Sequence, residues 1–286
     1  MSLIKFLFLL VFILAIDMQV AHAGNWPQPK GGYYIKLSEW WMVSDKHFDS
    51  NGDLQSNILE YGYYATTLYA EYGLGKRTTL TLHFPFINYA YTVLNSAQVK
   101  QSILKTGDAD VGLKYGLNIE EPLTLSASLI LGLPLGYNEN GALLTGDGEF
   151  NQMIKLDALK YFTLLKANTW LNIYTGFNNR SSGFADELHY GIQTGFDISK
   201  NKLTLILMLQ GIDALGEMNN AIHVNPQSLF SNYKEYINFS PELTYYLSPT
   251  WGITIGAGTT LTGKNIFANP SFTIGIFNQM KEYNTQ

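Results

Sequence analysis

Leucine and polar residues alternate along this chain with a period of two. From Lys202 to Gly211, leucine occupies positions 203, 205, 207 and 209, and from Leu123 to Leu135 it occupies 123, 125, 129, 131, 133 and 135. Thr124, Ser126, Ser128, Ile130, Gly132 and Pro134 fall between the latter set. A period of two places one set on one face of a β-strand and the other set on the opposite face. Four other stretches repeat the pattern. Ala109, Val111, Leu113, Tyr115, Leu117 and Ile119 alternate with Asp108, Asp110, Gly112, Lys114, Gly116 and Asn118. Leu188, Tyr190, Ile192, Phe196 and Ile198 alternate with Glu187, His189, Gly191, Gln193, Gly195 and Asp197. Ile237, Phe239, Leu243 and Leu247 oppose Asn238, Ser240, Glu242 and Thr244, and Trp251, Ile253, Ile255 and Leu261 oppose Gly252, Thr254, Gly256, Gly258 and Thr260.

Extended over the chain, the pattern predicts twelve strands: 31–44, 57–72, 77–91, 107–119, 122–135, 149–161, 166–178, 186–199, 202–213, 233–247, 250–262 and 269–280. Each is long enough to cross a hydrocarbon core, which takes about 9–11 tilted residues. Connectors after even strands are short: Gly73-Leu74-Gly75-Lys76, Glu120-Glu121, Thr163-Leu164-Leu165, Lys200-Asn201 and Ser248-Pro249. Most of those after odd strands are longer and polar: 45–56, 92–106, 136–148, 179–185 and 214–232, with 263–268 the shortest of the set. Short turns on one side and long loops on the other are the signature of an outer-membrane barrel. Strands one and two are harder to phase, because Glu39 and Glu60 interrupt the pattern.

A soluble β-sandwich also alternates. Against it stand strands longer than the usual five or six residues. Aromatics also gather near strand ends (Trp40-Trp41, Tyr61 to Tyr64, Tyr161-Phe162, Tyr245-Tyr246, Trp251), where membrane-interface girdles lie. The predicted fold is therefore all-β, a single antiparallel transmembrane β-barrel of about 12 strands. One irregularity concerns the C-terminus. Many bacterial barrels end on an aromatic residue that the assembly machinery reads, whereas this chain ends Lys281-Glu282-Tyr283-Asn284-Thr285-Gln286, leaving Phe277 or Tyr283 for that role.

The N-terminus supplies the address. Lys5, an apolar run from Phe6 to Ile16 and Ala21-His22-Ala23 form a secretory signal peptide over 1–23, with the barrel domain over 24–286. Asp17 cuts the apolar run short of the ~20 residues of a spanning helix. The expected location is the outer membrane of a Gram-negative bacterium, with outer-membrane lipid and the barrel-assembly machinery as partners. Cysteine is absent, and a closed hydrogen-bonded barrel needs none. A net charge of −5 without a basic stripe argues against nucleic acid. No cofactor is implied.

Candidate chemistry follows from strand phase. Lys36, His83, Asp108, Asp110, Lys114, Lys155, Asp157, Glu187, His189, Asp197 and Glu242 are the residues expected to line the lumen. Charges of both signs there would orient a polar solute or set weak ion selectivity; the alternative is that they fill a narrow interior with salt bridges. Of the histidines left after cleavage, His83 and His189 phase inward and His47 and His223 fall in loops. None sits beside a serine in a recognisable nucleophile motif, so no catalytic residue is assigned. Asp49-x-Asn51-x-Asp53-x-Gln55 with Glu60 echoes a calcium loop, but Leu54 stands where that loop needs glycine and no helices flank it, so no metal site is assigned. Gly73-Leu74-Gly75-Lys76-Arg77-Thr78 has the wrong spacing for a phosphate loop and reads as a turn. The segment Gly24 to Lys30, with Trp26, Pro27 and Pro29, is placed to tuck into the periplasmic mouth.

Gly107-Asp108-Ala109-Asp110-Val111-Gly112-Leu113-Lys114-Tyr115 resembles the G-D-x-x-x-G-x-K-Y strand of a bacterial outer-membrane family named after the meta-pathway of phenol degradation. Gly132-Leu133-Pro134-Leu135-Gly136 followed by Thr145-Gly146-Asp147-Gly148 is similar to that family's next strand and loop. The close match covers about 107–150. The resemblance implies a transporter-like barrel passing small, often apolar or aromatic compounds, and no catalytic residues. Some proteins of this general look accompany exopolysaccharide synthesis. The expected function is thus a passive channel for small molecules, the alternatives being a closed structural or surface-interaction barrel and an aid to exopolysaccharide export.

Overall fold

The computed structural model describes residues 26–94, 99–119, 122–139, 143–200, 202–216 and 229–280. The expected signal peptide, Gly24 and His223 lie outside the described residues. The chain forms β1 (Tyr33–Phe48), β2 (Leu54–Gly73), β3 (Thr78–Leu94), β4 (Val99–Lys105), β5 (Ala109–Asn118), β6 (Leu123–Leu133) and β7 (Asn151–Leu164). It continues with β8 (Ala167–Asn179), β9 (Asp186–Ser199), β10 (Leu203–Leu215), β11 (Glu235–Tyr246), β12 (Trp251–Lys264), β13 (Ile266–Phe267) and β14 (Ser271–Met280). All pairings are antiparallel, and β1 pairs with both β2 and β14, so the sheet closes on itself. Two staves are interrupted. The outer part of β3 pairs with β4 and its inner part with β5, while β13 and β14 share β1. Fourteen segments therefore make a twelve-stave barrel. Among the described residues the twelve staves close into a ring, which is the condition for strands to cross a membrane.

Burial is inverted relative to a soluble protein. Leu129 is 49% exposed, Ile154 59% and Ile255 58%, while Asn88, Asn172 and Gln279 are among the most fully buried side chains. A sandwich would have hidden the leucines and wetted the amides; here the apolar face meets hydrocarbon and the polar face meets the interior. β5 shows the alternation residue by residue, with Gly112, Lys114 and Gly116 buried and Leu113, Tyr115 and Leu117 exposed. The first two strands obey the same rule. Tyr34, Lys36, Ser38, Trp40 and Met42 face inward, whereas Glu39 and Glu60 point outward, accepting hydrogen bonds from Thr66 Oγ1 (2.7 Å) and Tyr91 Oη (3.0 Å).

Three expectations change. The expected loops 45–56 and 92–106 are mostly strand, since β1 and β2 run to Phe48 and from Leu54, and β3 and β4 pair from Asn88↔Lys105 to Leu94↔Val99. In these hairpins the backbone ladder persists although the sequence does not hold apolar residues to one face. The aromatic clusters are not girdles throughout, because adjacent residues in a strand must diverge. Trp41 packs outward on Phe272 while Trp40 turns inward, and Tyr61 and Tyr63 are buried in the interior. Phe277 likewise points inward, 2% exposed, and offers no outward aromatic near the C-terminus; Tyr283 lies outside the described residues. The calcium-like segment is a turn. Asp49 accepts hydrogen bonds from the Asn51 and Asp53 backbone N–H groups and from Gln55 Nε2. These donors, the Gln55 amide first, hold its carboxyl below the usual carboxylate range.

Candidate functional site

The periplasmic end of the lumen has a floor. The chain enters beneath the barrel, where the Gln28 backbone N–H donates to Thr79 Oγ1 (2.7 Å) and Gln28 Nε2 donates to Glu71 Oε2 (2.8 Å). Pro29 fits this place because β2 offers no side chain there: a Cβ on Gly73 would fall 1.9 Å from the Pro29 carbonyl oxygen. Glu71, 2% exposed, also accepts from Tyr69 Oη (2.6 Å) and Lys114 Nζ (3.0 Å). Both carboxylate oxygens are thus taken, which is how a charge so deeply buried can be tolerated. Beside it Tyr34 stacks on Phe277 (5.3 Å between centroids), and Tyr246 meets Phe277 edge-on (5.5 Å).

The wall formed by β5 to β8 is filled. Asp157, 5% exposed, accepts from Asn172 Nδ2 (3.1 Å) and pairs with Lys155 (3.0 Å), whose ammonium also lies 4.4 Å from the Tyr174 ring centroid. Ser126, Ser128 and Thr124 are buried on the adjoining inner face of β6.

A polar clasp covers the outer end of this same side. Asp108 stands just beyond β5, and its carboxylate accepts from the backbone N–H groups of Gly136 (2.8 Å) and Asp147 (2.7 Å), tying down the long β6–β7 loop. Arg180, in the β8–β9 loop, bridges Asp147 Oδ2 and Glu187 Oε1, each at 2.9 Å, with its side chain 1% exposed. Glu187 Oε2 is met by His189 Nε2 (2.8 Å) and Asn178 Nδ2 (3.2 Å). On the β1–β3 side the outer end is apolar. Leu143 of the β6–β7 loop and Leu229 and Phe230, just before β11, pack onto Tyr61, Tyr63, Met42 and Phe267.

Space remains between the inner faces of β1 to β3 and those of β9 to β14. A cavity of about 600 Å³ reaches from Leu229, Phe230 and Trp40 down to Tyr34, Tyr246 and Phe277. It shares Gln193, Ile206, Glu242 and Thr273 with a second space of about 260 Å³. That space shares Gln210, Ser240, Gly258 and Ser271 with a third of about 230 Å³, which reaches Lys234 and Asn269. Together they make a continuous series of lining residues through the interior. Glycine keeps the β12–β14 wall of this space clear. Lys36 lies flat across it, since a Cβ on Gly275 would come within 2.9 Å of Lys36 Cε. Its ammonium reaches Glu242 Oε2 at 2.9 Å, spanning β14 and β12.

The residues expected to line the lumen therefore divide by environment. Lys36, His83 and Glu242 line the large cavity, with His83 loosely paired to Asp110 (3.4 Å) and both side chains about half exposed. Lys114, Asp157 and Glu187 are buried in hydrogen-bonded networks, Lys155 and His189 are bound to those networks, and Asp197 is held by Thr204 Oγ1 (2.7 Å). Asp108 is a loop anchor, because the loop folds back over the end of its stave. Glu71, Gln28, Asp147 and Arg180 were not singled out from the sequence. Glu71 could have been found by phasing β2 inward from Tyr69; Arg180 and Asp147 lie in loops without periodicity.

No protein-family model and no curated protein sequence matches the chain. Among solved structures it is similar to the COG4313 outer membrane channel from Pseudomonas putida F1, with a TM-score of 0.63 and 18% identity, covering 92% of this chain and 100% of that one. The fold is that of a bacterial outer-membrane β-barrel. Weaker likenesses are to a KdgM porin in complex with disordered oligogalacturonate (TM-score 0.49, 8% identity, 86% and 99% covered). A third is to the translocator domain of the autotransporter NalP from Neisseria meningitidis (TM-score 0.46, 10% identity, 88% and 90% covered).

Proposed function

We propose that this barrel is a passive outer-membrane channel for small molecules, including apolar and aromatic ones. The observation that carries the reading is the series of spaces between β1–β3 and β9–β14, each sharing residues with the next. Aromatic and aliphatic side chains alternate there with Gln, Asn, Ser and one ion pair, as in sites that take solutes with an apolar body and a polar handle. The sequence resemblance over 107–150 points the same way. Purified protein in planar bilayers should give discrete conductance steps, and proteoliposomes should admit a small aromatic solute faster than protein-free vesicles. Neither activity would sink the proposal.

A second reading, a closed barrel whose loops do the work, is favoured by the apolar contact of Leu143, Leu229 and Phe230 over the outer end and by the Gln28–Glu71 floor. Conductance that stays at zero even after Gln28 and its neighbours are removed would favour it.

A further inference from the structure

The large cavity combines a mostly apolar enclosure with one cation that still has donors to give. Trp40, Trp170, Ile206 and Phe230 contribute its apolar walls. Lys36 and Glu242 supply its ion pair, with side chains 17% and 25% exposed rather than sealed. The capacities of the two partners differ. Glu242 Oε2 accepts from Lys36 and Oε1 from Thr244 Oγ1 (3.4 Å), so each carboxylate oxygen is engaged. An ammonium carries three donors, and the Lys36–Glu242 contact uses one. Cross-strand pairing adds a second donor-bearing group nearby. Lys36, Tyr69 and His83 face one another across β1, β2 and β3, and His83 lines the same cavity about half exposed. The spare donors of Lys36 suit a further acceptor, preferably an anionic one, carried on a body that fills apolar space.

We infer that the cavity is a binding site for small apolar monocarboxylates, with the carboxylate held by Lys36 from the side opposite Glu242. This deepens the channel reading and rests on it, since it names a class of solute for the same lumen. Lys36 would then sit between two carboxylates, the resident one and the solute's. Binding is strong enough to select and weak enough to release, as passage through a channel requires.

The test is equilibrium binding to the full, detergent-solubilised barrel by isothermal titration calorimetry. The probes are benzoate, benzyl alcohol and benzylamine, which share a ring and differ in charge. Benzoate is expected to bind at least about tenfold more tightly than benzyl alcohol. That preference should vanish in Lys36→Met, survive in part in Lys36→Gln, and persist or grow in Glu242→Gln, where the competing carboxylate is gone. Heat-modifiable mobility on gels confirms that each variant is a folded barrel. Equal affinity for benzoate and benzyl alcohol, no binding of any probe, or an unchanged benzoate preference in Lys36→Met overturns the inference. Tighter binding of benzylamine, lost in Glu242→Gln, overturns it in favour of a cation site. Conductance without benzoate binding removes this inference alone, whereas benzoate binding without conductance removes the channel reading.

Discussion

Among the ion pairs inside this barrel, two of matching chemistry differ in a way that separates wall from path. Lys114–Glu71 and Lys36–Glu242 have nearly the same length, 3.0 and 2.9 Å, and the same chemistry. The first is 8% and 2% exposed, and although Glu71 borders the same large cavity, its carboxylate is saturated by Tyr69 and Gln28. The second is 17% and 25% exposed and stretches across a glycine-lined recess beside a cavity of about 600 Å³. Charge inside a barrel does not by itself mark a channel. What marks it is whether the charge keeps unspent hydrogen-bonding capacity towards empty space.

The comparison can be broken most forcefully at Lys114. Lys114→Met leaves Glu71 buried without its cation and should cost on the order of 3–5 kcal/mol. Urea unfolding followed by tryptophan fluorescence checks this, and adding Glu71→Gln should recover most of the loss. A cost below about 1 kcal/mol would mean that the floor is not held by this pair. Arg180→Ala comes next, at about 2–3 kcal/mol, because Glu187 keeps Asn178 and His189 as partners while Asp147 loses its cation. Proteolysis of the β6–β7 loop should accelerate at the same time, and unchanged protection would deny Arg180 its clasping role. Gln28→Ala removes one neutral donor from the floor and should cost about 1 kcal/mol. Its sharper signature is a larger single-channel conductance, which would not change if the N-terminal segment lay outside the path. Lys36→Met should alter stability least, by less than about 1 kcal/mol, because water in the lumen screens the pair. A loss comparable to that of Lys114→Met would erase the distinction drawn between the two pairs.

Much of this barrel was legible as alternation. Leu203 to Leu209 and Leu123 to Leu135 faced lipid for the reason that made them visible, since hydrocarbon on one side and a polar interior on the other impose a period of two. Gly252, Gly256 and Gly258 read as inward, and Gly256 and Gly258 line the interior space while the Phe277 ring packs over Gly252. Legibility failed where that constraint ends. The hairpins at 46–48 with 54–56 and at 88–94 with 99–105 keep their backbone ladder without a matching apolar alternation in sequence. Glu71 was passed over because the outward Glu39 and Glu60 obscured the phase of the first two strands. Arg180 lies in a loop, and the Lys36–Glu242 contact crosses two intervening staves, so neither could be inferred from spacing within a strand. Which inward charges pair with each other depends on barrel curvature, which the period does not encode.

The reversal potential of single channels under a potassium chloride gradient tests the account most directly, with wild-type protein compared against Lys36→Met. Removing the Lys36 ammonium while leaving Glu242 should shift the reversal potential clearly towards cation preference. An identical reversal potential in the two proteins, or no conductance in either, would contradict the assignment of the Lys36–Glu242 side as the path.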